Sequence, residues 1–395
     1  MATITKRNNS YRIKVSSGYD ASGKQVIQSK TWTPPENMTA RQIQKELQKQ
    51  AVLFEQECLK GNIVTMVKFQ ELAEEWFDTY VKLNLRISTR SGYLQYKNRT
   101  YSAIGHLRLD KITTRTIQHF INSLSQDGVN ERTGKGLSPK TIRNYNGFIS
   151  GIFSYAIKME IVTDNPCSRV TLPPKGQTEK KIYTNEQTEK FLTLLQAEPL
   201  KYRLFFTMLT YSGLRKGELL GVEWSDIDWQ SRIIKISRSS LYTFINGTYT
   251  DSTKTERSKR FVKLPQFVMS MLEAHKHEQD KEREQLGSQW EDTDRLFVQL
   301  NGKPMCPHTP YNWLRDFCEK IGLPCYGTHH YRHLFASLAI GEGVDIVTLS
   351  GALGHTNPNV TLGTYSHLLQ NAQDKIANAV ENALNFSKSQ QTQIL

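Results

Sequence analysis

The sequence predicts a multidomain fold: a small N-terminal β-sheet plus helix module, an all-α bundle, and a mixed α+β, mainly α, C-terminal domain. Three observations carry this prediction. The chain has 395 residues, enough for two or three separate cores. Apolar residues alternate before Pro34-Pro35, recur at helical spacing through residues 64–168, and mix the two patterns after Tyr183. An aperiodic polar stretch around Pro173-Pro174-Lys175-Gly176 divides the last two parts. The expected boundaries are 1–62 for the module, 64–168 for the bundle, 169–183 for a linker, 184–386 for the large domain with a C-terminal helix, and 387–395 for a tail.

In the module, Thr3–Lys6, the run Ser10-Tyr11-Arg12-Ile13-Lys14-Val15, and Val26–Trp32 alternate as strands do. A turn at Asp20-Ala21-Ser22-Gly23 joins the last two. The period of two puts Arg12 and Lys14 on one face and Tyr11, Ile13 and Val15 on the other. A helix from Thr39 to about Leu59 should turn Ile43, Leu47, Leu53 and Phe54 inward. A basic sheet face of this size can enter a DNA major groove; a structural β-cap is the plain alternative.

The bundle begins with Phe69, Leu72, Trp76, Phe77 and Tyr80 at helical spacing, an aromatic stripe better suited to a core than to stacking on bases. Further helices are expected at Arg90–Ile104 and Thr113–Leu124. Ser138-Pro139 reads as an N-cap followed by proline in the first turn, opening a helix through about Lys158. Lys140 and Arg143, three apart on that helix, are candidate phosphate contacts, as is Lys175 in the linker. In the large domain, helices are expected around Leu192–Leu195, Leu204–Leu209 and Glu218–Val222. Strands are expected at Arg232–Ser237, Ser258–Leu264 and Leu296–Leu300, and Thr328 should cap a helix running from His329 to Leu338.

Composition narrows the function classes. Hydrophobic residues make up 38% and charged residues 23%, ordinary for a soluble globular chain. No apolar run approaches the roughly 20 residues of a membrane span, and the polar start Met1-Ala2-Thr3-Ile4-Thr5-Lys6 has no signal-peptide core. The five cysteines (Cys58, Cys167, Cys306, Cys318, Cys325) are scattered, with neither a disulfide framework nor zinc spacing. Net charge is +13, unevenly spread. Residues 1–180 hold 27 Lys and Arg against 15 Asp and Glu, while the remainder holds 24 against 23. A polyanion-gripping front half joined to a nearly neutral back half points to nucleic acid.

The chemistry concentrates in the back half. Its strings are Gly213-Leu214-Arg215-Lys216-Gly217-Glu218-Leu219, Thr253-Lys254-Thr255, His329-His330-Tyr331-Arg332-His333, Leu353-Gly354-His355-Thr356, and Tyr365. In that order and spacing they resemble the tyrosine recombinase (phage integrase) family. The resemblance covers about residues 183–386; the helical 64–168 region is similar in character to that family's core-binding domain. The N-terminal module looks like the arm-type DNA-binding domain of larger integrases from phages and conjugative transposons.

The residue types suit phosphodiester transfer. The pentacoordinate state carries extra negative charge on its non-bridging oxygens, which planar guanidinium groups match bidentately. Arg215 and Arg332 are the expected paired clamp, with His329 and His355 donating to the same oxygens or exchanging a proton. Tyr365 is the expected nucleophile; an ordinary phenol ionises near pH 10 and needs cations and an acceptor close by. Lys254 is the candidate general acid for the departing 5′-oxygen, Lys259 is its rival, and simple phosphate contact is the alternative for both. The resemblance implies an auxiliary role for Glu218, orienting a catalytic cation; a purely structural ion pair remains open. His329 and His333 have the spacing of a metal-binding helix, but His330 stands where the glutamate of that motif belongs. His333 is therefore expected to support Arg332 or pack in the core, and no metal ligands are assigned.

The expected reaction exchanges one phosphoester for another through a 3′-phosphotyrosyl enzyme, so no cofactor is expected. The resemblance implies double-stranded DNA as partner, at core sites and at arm sites, and a homo-tetramer on DNA exchanging C-terminal helices. The run Leu368, Leu369, Ala372, Ile376, Ala379, Val380, Ala383 and Leu384 would form that helix. An accessory DNA-bending or excision factor, no membrane, and a nucleoid-associated place in a bacterial host cytoplasm complete the expectation. The rival readings are a type IB topoisomerase, which shares the chemistry but needs no arm-like module, and a non-catalytic sequence-specific DNA-binding protein.

Overall fold

A computed structural model describes residues 2–19, 25–35, 38–59, 67–176, 181–252, 259–355 and 357–365. The chain divides into two compact units, Met1–Thr178 and Glu179–Leu395. Its helices outweigh three small antiparallel sheets.

The first unit holds two cores. Strands β1 (Thr3–Arg7), β2 (Ser10–Tyr19) and β3 (Gln25–Trp32) form an antiparallel sheet in sequence order. Ile13 and Val15 are buried against Leu47, Ala51 and Phe54 of α1 (Ala40–Leu59). Arg12 and Lys14 alternate to the opposite face, where Arg12 Nη2 donates to Ser29 Oγ at 3.0 Å on the paired strand. The expectation for α1 fails at one position: Leu53 is 40% exposed, and Ala51 points inward instead. Residues 47, 51, 54 and 58 keep the helical period; a residue directly before Phe54 is turned about 100° away.

The bundle core unites α2 (Phe69–Trp76), the π-helical turn Phe77–Val81, α4 (Ile87–Thr100), α5 (Thr114–Ser123) and α6 (Pro139–Lys158), while the short α3 (Lys82–Asn84) lies outside it with Leu83 exposed. Ser138 Oγ accepts from the Thr141 N–H at 3.2 Å and Pro139 opens α6, so one orphan donor is capped and one is absent. The aromatic stripe is core at Phe69, Trp76 and Phe77, whereas Tyr80 is 38% exposed. The expected helix through Ile104 ends as a regular α-helix at Thr100 and continues as a π-turn, Tyr101–Gly105. Part of the expected linker belongs to the bundle. Thr171 exchanges two bonds with the Gln118 amide, at 2.8 and 3.0 Å, and Val170 and Leu172 pack on its core.

The second unit is built on α7 (Asn185–Leu195), α8 (Leu200–Ser212), α9 (Lys216–Leu220), α10 (Gln266–Leu286) and α11 (Thr309–Ile321). Against them lie a sheet of β4 (Ile227–Asp228), β5 (Ile233–Ile236) and β8 (Arg260–Lys263), and a hairpin of β6 (Arg238–Thr243) and β7 (Gly247–Ser252). Lys254 was expected in a polar hairpin between the strands near Arg232–Ser237 and Ser258–Leu264; β5 and β8 do pair antiparallel, and the strands β6 and β7 within that connection were not expected. Residues 296–300 do not form the expected strand: only an isolated bridge, Val298 to Pro304, is made, although Leu296, Phe297 and Val298 are buried. Helices α12 (His329–Gly341), α13 (Ile346–Leu353) and α14 (Pro358–Tyr365) follow. Ala336, Ile340, Leu349, Leu353 and Tyr365 make a smaller core among these three helices. Thr328 precedes α12 without a side-chain cap bond, contrary to expectation, because its backbone is already helical (φ −68°, ψ −23°).

Candidate active site

The site begins where α8 ends. Gly213 takes a left-handed conformation (φ 62°) that reverses the chain, buries Leu214 and starts α9 after Arg215. A side chain at 213 would also put its Cβ 2.5 Å from Phe335 Cδ1, so glycine is needed for space as well as conformation. Arg215 closes onto Glu218 one turn later: its N–H donates to Oε2 at 2.9 Å and its Nη1 to Oε1 at 2.6 Å. Glu218 is 4% exposed and holds a second cation, Arg260, whose Nη2 donates to Oε2 at 2.8 Å. Burial alone would raise this carboxyl's pKa, but Arg260 and Arg215 together outweigh it and hold the group below the usual range. The geometry therefore puts Glu218 on Arg215, as an orienting group would be, and on a partner that was not foreseen.

Arg332, on the first turn of α12, is the most enclosed of the expected cations at 2% exposure. Its Nη1 donates to the Gly213 carbonyl at 2.8 Å and its Nη2 to the Leu353 carbonyl at 2.7 Å. Burial first, then the neighbouring Arg215, lowers its pKa to about 9. His355 Nε2 lies 2.8 Å from Arg332 Nη2, and its Nδ1 lies 2.7 Å from Thr361 Oγ1. A guanidinium only donates, so Nε2 accepts and the proton sits on Nδ1, directed at Thr361. Burial and then the Arg332 charge push this imidazole down to about 4, which keeps it neutral. His355, expected to donate to a phosphate oxygen or to exchange a proton, here accepts from Arg332 and orients it.

Tyr365 ends α14 and is 4% exposed. The C-terminal helix expected to follow it, with Leu368 to Leu384, lies outside the described residues. The Tyr365 hydroxyl is 2.6 Å from His333 Nδ1. Burial raises the phenol's pKa to about 12, opposed by the positive charge of Arg332. His333 was expected to support Arg332 or to pack in the core; it contacts the buried phenol of Tyr365. His329, one turn earlier, is exposed and meets the phenol only through His333, its ring edge-on at 4.8 Å between centroids. The spacing that suggested a metal pair instead lines up two imidazoles behind Tyr365. Among the described residues no group of three His, Cys, Asp or Glu could hold a metal ion.

Lys254 lies outside the described residues; Lys259 is described and exposed. In the first unit, Lys140 and Lys175 are exposed, and Arg12 and Lys14 share the outer sheet face. Arg143 is half-buried and donates through Nη2 to the Pro173 carbonyl at 2.7 Å, so part of its fork is already committed to the chain. No helix among the described residues is long and apolar enough to cross a membrane.

Arg260 and Thr361 were missed. The signal for Arg260 was a reversed alternation: Arg260 is 9% exposed while the next residue, Phe261, is 71% exposed. A strand that turns its arginine in and its phenylalanine out has a polar partner inside.

Arg215 and Arg260 on one carboxylate, Arg332 on the carbonyl of the helix junction just before Arg215, and a buried phenol on a mainly helical scaffold fit the class of tyrosine recombinases. The phage integrase family matches residues 181–372, and the N-terminal SAM-like domain of phage integrases matches residues 68–125. The chain belongs to the phage integrase family. It is 26% identical over 395 residues to the ICEBs1 integrase of Bacillus subtilis, spanning 97% of this chain and 100% of that one. Its fold is similar to that of the Tn1549 transposon integrase in complex with transposon right end DNA (TM-score 0.65, 20% identity, 79% of this chain and 100% of the other). It is also similar to the lambda integrase in a tetramer bound to a Holliday junction (TM-score 0.52, 17% identity, 90% and 96%).

Proposed function

We propose that this recombinase integrates and excises a mobile element, a phage or a conjugative transposon, by cutting and rejoining duplex DNA through Tyr365. The Tyr365 oxygen bonds to the scissile phosphorus as the bond to the 5′-oxygen breaks. His333 Nδ1 takes the phenol proton, and Lys254, or Lys259 in its stead, protonates the departing oxygen. Arg215 and Arg332 hold the non-bridging oxygens, with guanidinium positions fixed in advance by Glu218, Gly213, Leu353 and His355. Reversal by a 5′-hydroxyl of the partner duplex completes strand exchange. Phosphoester number is conserved, so the chain's own residues suffice without a cofactor.

The observation that carries this reading is the Tyr365 hydroxyl at 2.6 Å from an imidazole, within the electrostatic reach of Arg332 and in one subunit. A phenol at about 12 needs both an acceptor and a cation to react near neutrality. The reading carries with it double-stranded DNA as partner, with core sites gripped by Lys140, Arg143 and Lys175 and arm sites by Arg12 and Lys14. It also carries a homo-tetramer exchanging C-terminal segments, an accessory bending or excision factor, and a bacterial cytoplasm; in its support, the similar Tn1549 integrase is solved with transposon right end DNA and the lambda integrase as a tetramer on a Holliday junction. The test is a nicked cognate core site mixed with the full chain. An SDS-resistant adduct is expected with the wild type and none with Tyr365→Phe, while band-shift affinity for the same DNA stays unchanged. An undiminished adduct in Tyr365→Phe removes the nucleophile assignment.

A further inference from the structure

We propose that Arg260 is a positioning residue for strand cleavage: it acts through Glu218 on Arg215 and, through the end of α13, on the turn that carries His355. This rests on the reading of Arg215 and Tyr365 as the cleavage machinery, and it adds a residue outside the five strings that suggested that machinery.

Arg260 opens β8, immediately after Lys259 and the segment that carries Lys254. Its guanidinium points inward to acceptors on different elements, two of them among the described residues. Nη2 donates to Glu218 Oε2 at 2.8 Å, and Nε donates to the Ala352 carbonyl at 2.8 Å. Ala352 lies in the last turn of α13, next to Leu353, whose carbonyl accepts from Arg332 at 2.7 Å. Gly354, which ends α13 in a left-handed turn (φ 66°), leaves the room that Nη1 occupies: a Cβ there would stand 2.9 Å from Arg260 Nη1. One planar group thus spans three places: the carboxylate that holds Arg215, the last turn of α13, and the glycine before His355.

The shape of the group explains why arginine stands here. An ammonium presents a point charge and could meet Glu218 or the carbonyl, but not both at these separations. Burying this guanidinium is costly without partners, and its two bonds offset that cost only with the site assembled. Glu218 is equally dependent. Arg215 and Arg260 both bond to its carboxylate, and Arg332 lies within electrostatic range. With Arg260 absent, the buried carboxylate has one fewer cation and is easier to protonate, and protonation releases Arg215. Arg260 itself has no role at the phosphate in this assignment; it fixes where the phosphate-binding groups stand.

The experiment is single-turnover cleavage of the nicked core site by the full chain, after the wild-type adduct and its loss in Tyr365→Phe have established the base reading. Arg260→Met is expected to slow cleavage by about 30-fold to 100-fold, the scale of a small displacement of preorganised groups. DNA affinity should stay within about twofold, because Arg260 is 9% exposed and its donors are turned inward to Glu218 and Ala352. The acid limb of the pH–rate profile should move to higher pH as Glu218 becomes easier to protonate. Arg260→Lys should recover part of the rate. In a Glu218→Gln background, Arg260→Met should cost little more. Should Arg260→Met not fold, Arg260→Lys carries the same profile and the same background test. A wild-type cleavage rate overturns the proposal. So does an equal loss in both backgrounds with an unmoved acid limb, which would mean Arg260 acts without Glu218. A loss of affinity in proportion to rate would make it a DNA contact instead.

Discussion

The two units of this chain use positive charge in opposite ways. In the first, Lys140 and Lys175 are exposed, and Arg12 and Lys14 line an outer sheet face, where Arg12 donates to the Ser29 hydroxyl. In the second, Arg332 and Arg260 are 2% and 9% exposed, and each is fixed by carbonyl or carboxylate acceptors from other elements. The sequence counts conceal this. A surplus of 27 against 15 marks the gripping half, and a near balance of 24 against 23 marks the chemical half. An exposed lysine attracts a polyanion from any of its rotamers and is screened by salt. A buried guanidinium attracts from one place only, and its neutralising partners raise the acid count. Electrical balance in the second unit reflects stronger local electrostatics.

The largest effect that separates the two uses should come from Arg332→Lys. The charge is kept, but the fork to Gly213 and Leu353 is lost. Single-turnover cleavage is expected to fall by about 100-fold to 1,000-fold, the scale of removing one preorganised donor, with band-shift affinity nearly unchanged. A proportional loss of both would erase the contrast between the units.

A middle effect concerns acid. Burial holds His275, His330 and His355 of the second unit at about 4, against an ordinary value of 6.5. Their folded pKa values lie below the unfolded one, so the unfolded chain takes up the extra protons between those limits. Their contribution is complete above about 6.5 and is lost as pH falls toward 4. Hydrogen exchange on the full chain should show protection in the second unit dropping by about tenfold or more over that window. Equal or greater loss in the first unit would count against the assignment.

The smallest effect tests the grip. Lys140→Gln should lower DNA affinity by less than about tenfold and flatten the log–log salt slope by about 1, with the cleavage rate of bound substrate unchanged. A changed rate at saturating protein would mean that Lys140 does more than hold.

Much of the site was legible because its residues sit in strings with strict local grammar. Gly213 before Arg215 and Gly354 before His355 each mark a helix end that only glycine fits, and each string therefore announces the residue behind it. Tyr365 was legible by its distance from the second of these turns. What escaped was non-local. The β6–β7 hairpin is rich in serine and threonine and lacks the apolar alternation that marks a strand. His333 was read against Arg332, its neighbour in sequence; in space the closer partner is Tyr365, 32 positions later. Arg260 and Glu218 are 42 residues apart, and only folding makes them one group. Leu53 was assigned inward by its hydrophobicity, although the helical period favoured Ala51.

The glycine at 354 has a reach beyond its own turn. A methyl there would lie 2.9 Å from Arg260 Nη1, so the guanidinium would have to tilt away from the carboxylate that restrains Arg215. The absence of a single carbon thus acts as a gauge block, setting the clearance of a three-charge linkage that runs from Arg260 through Glu218 to Arg215. A variant such as Gly354→Ala would misalign the first arginine of the pair without touching it.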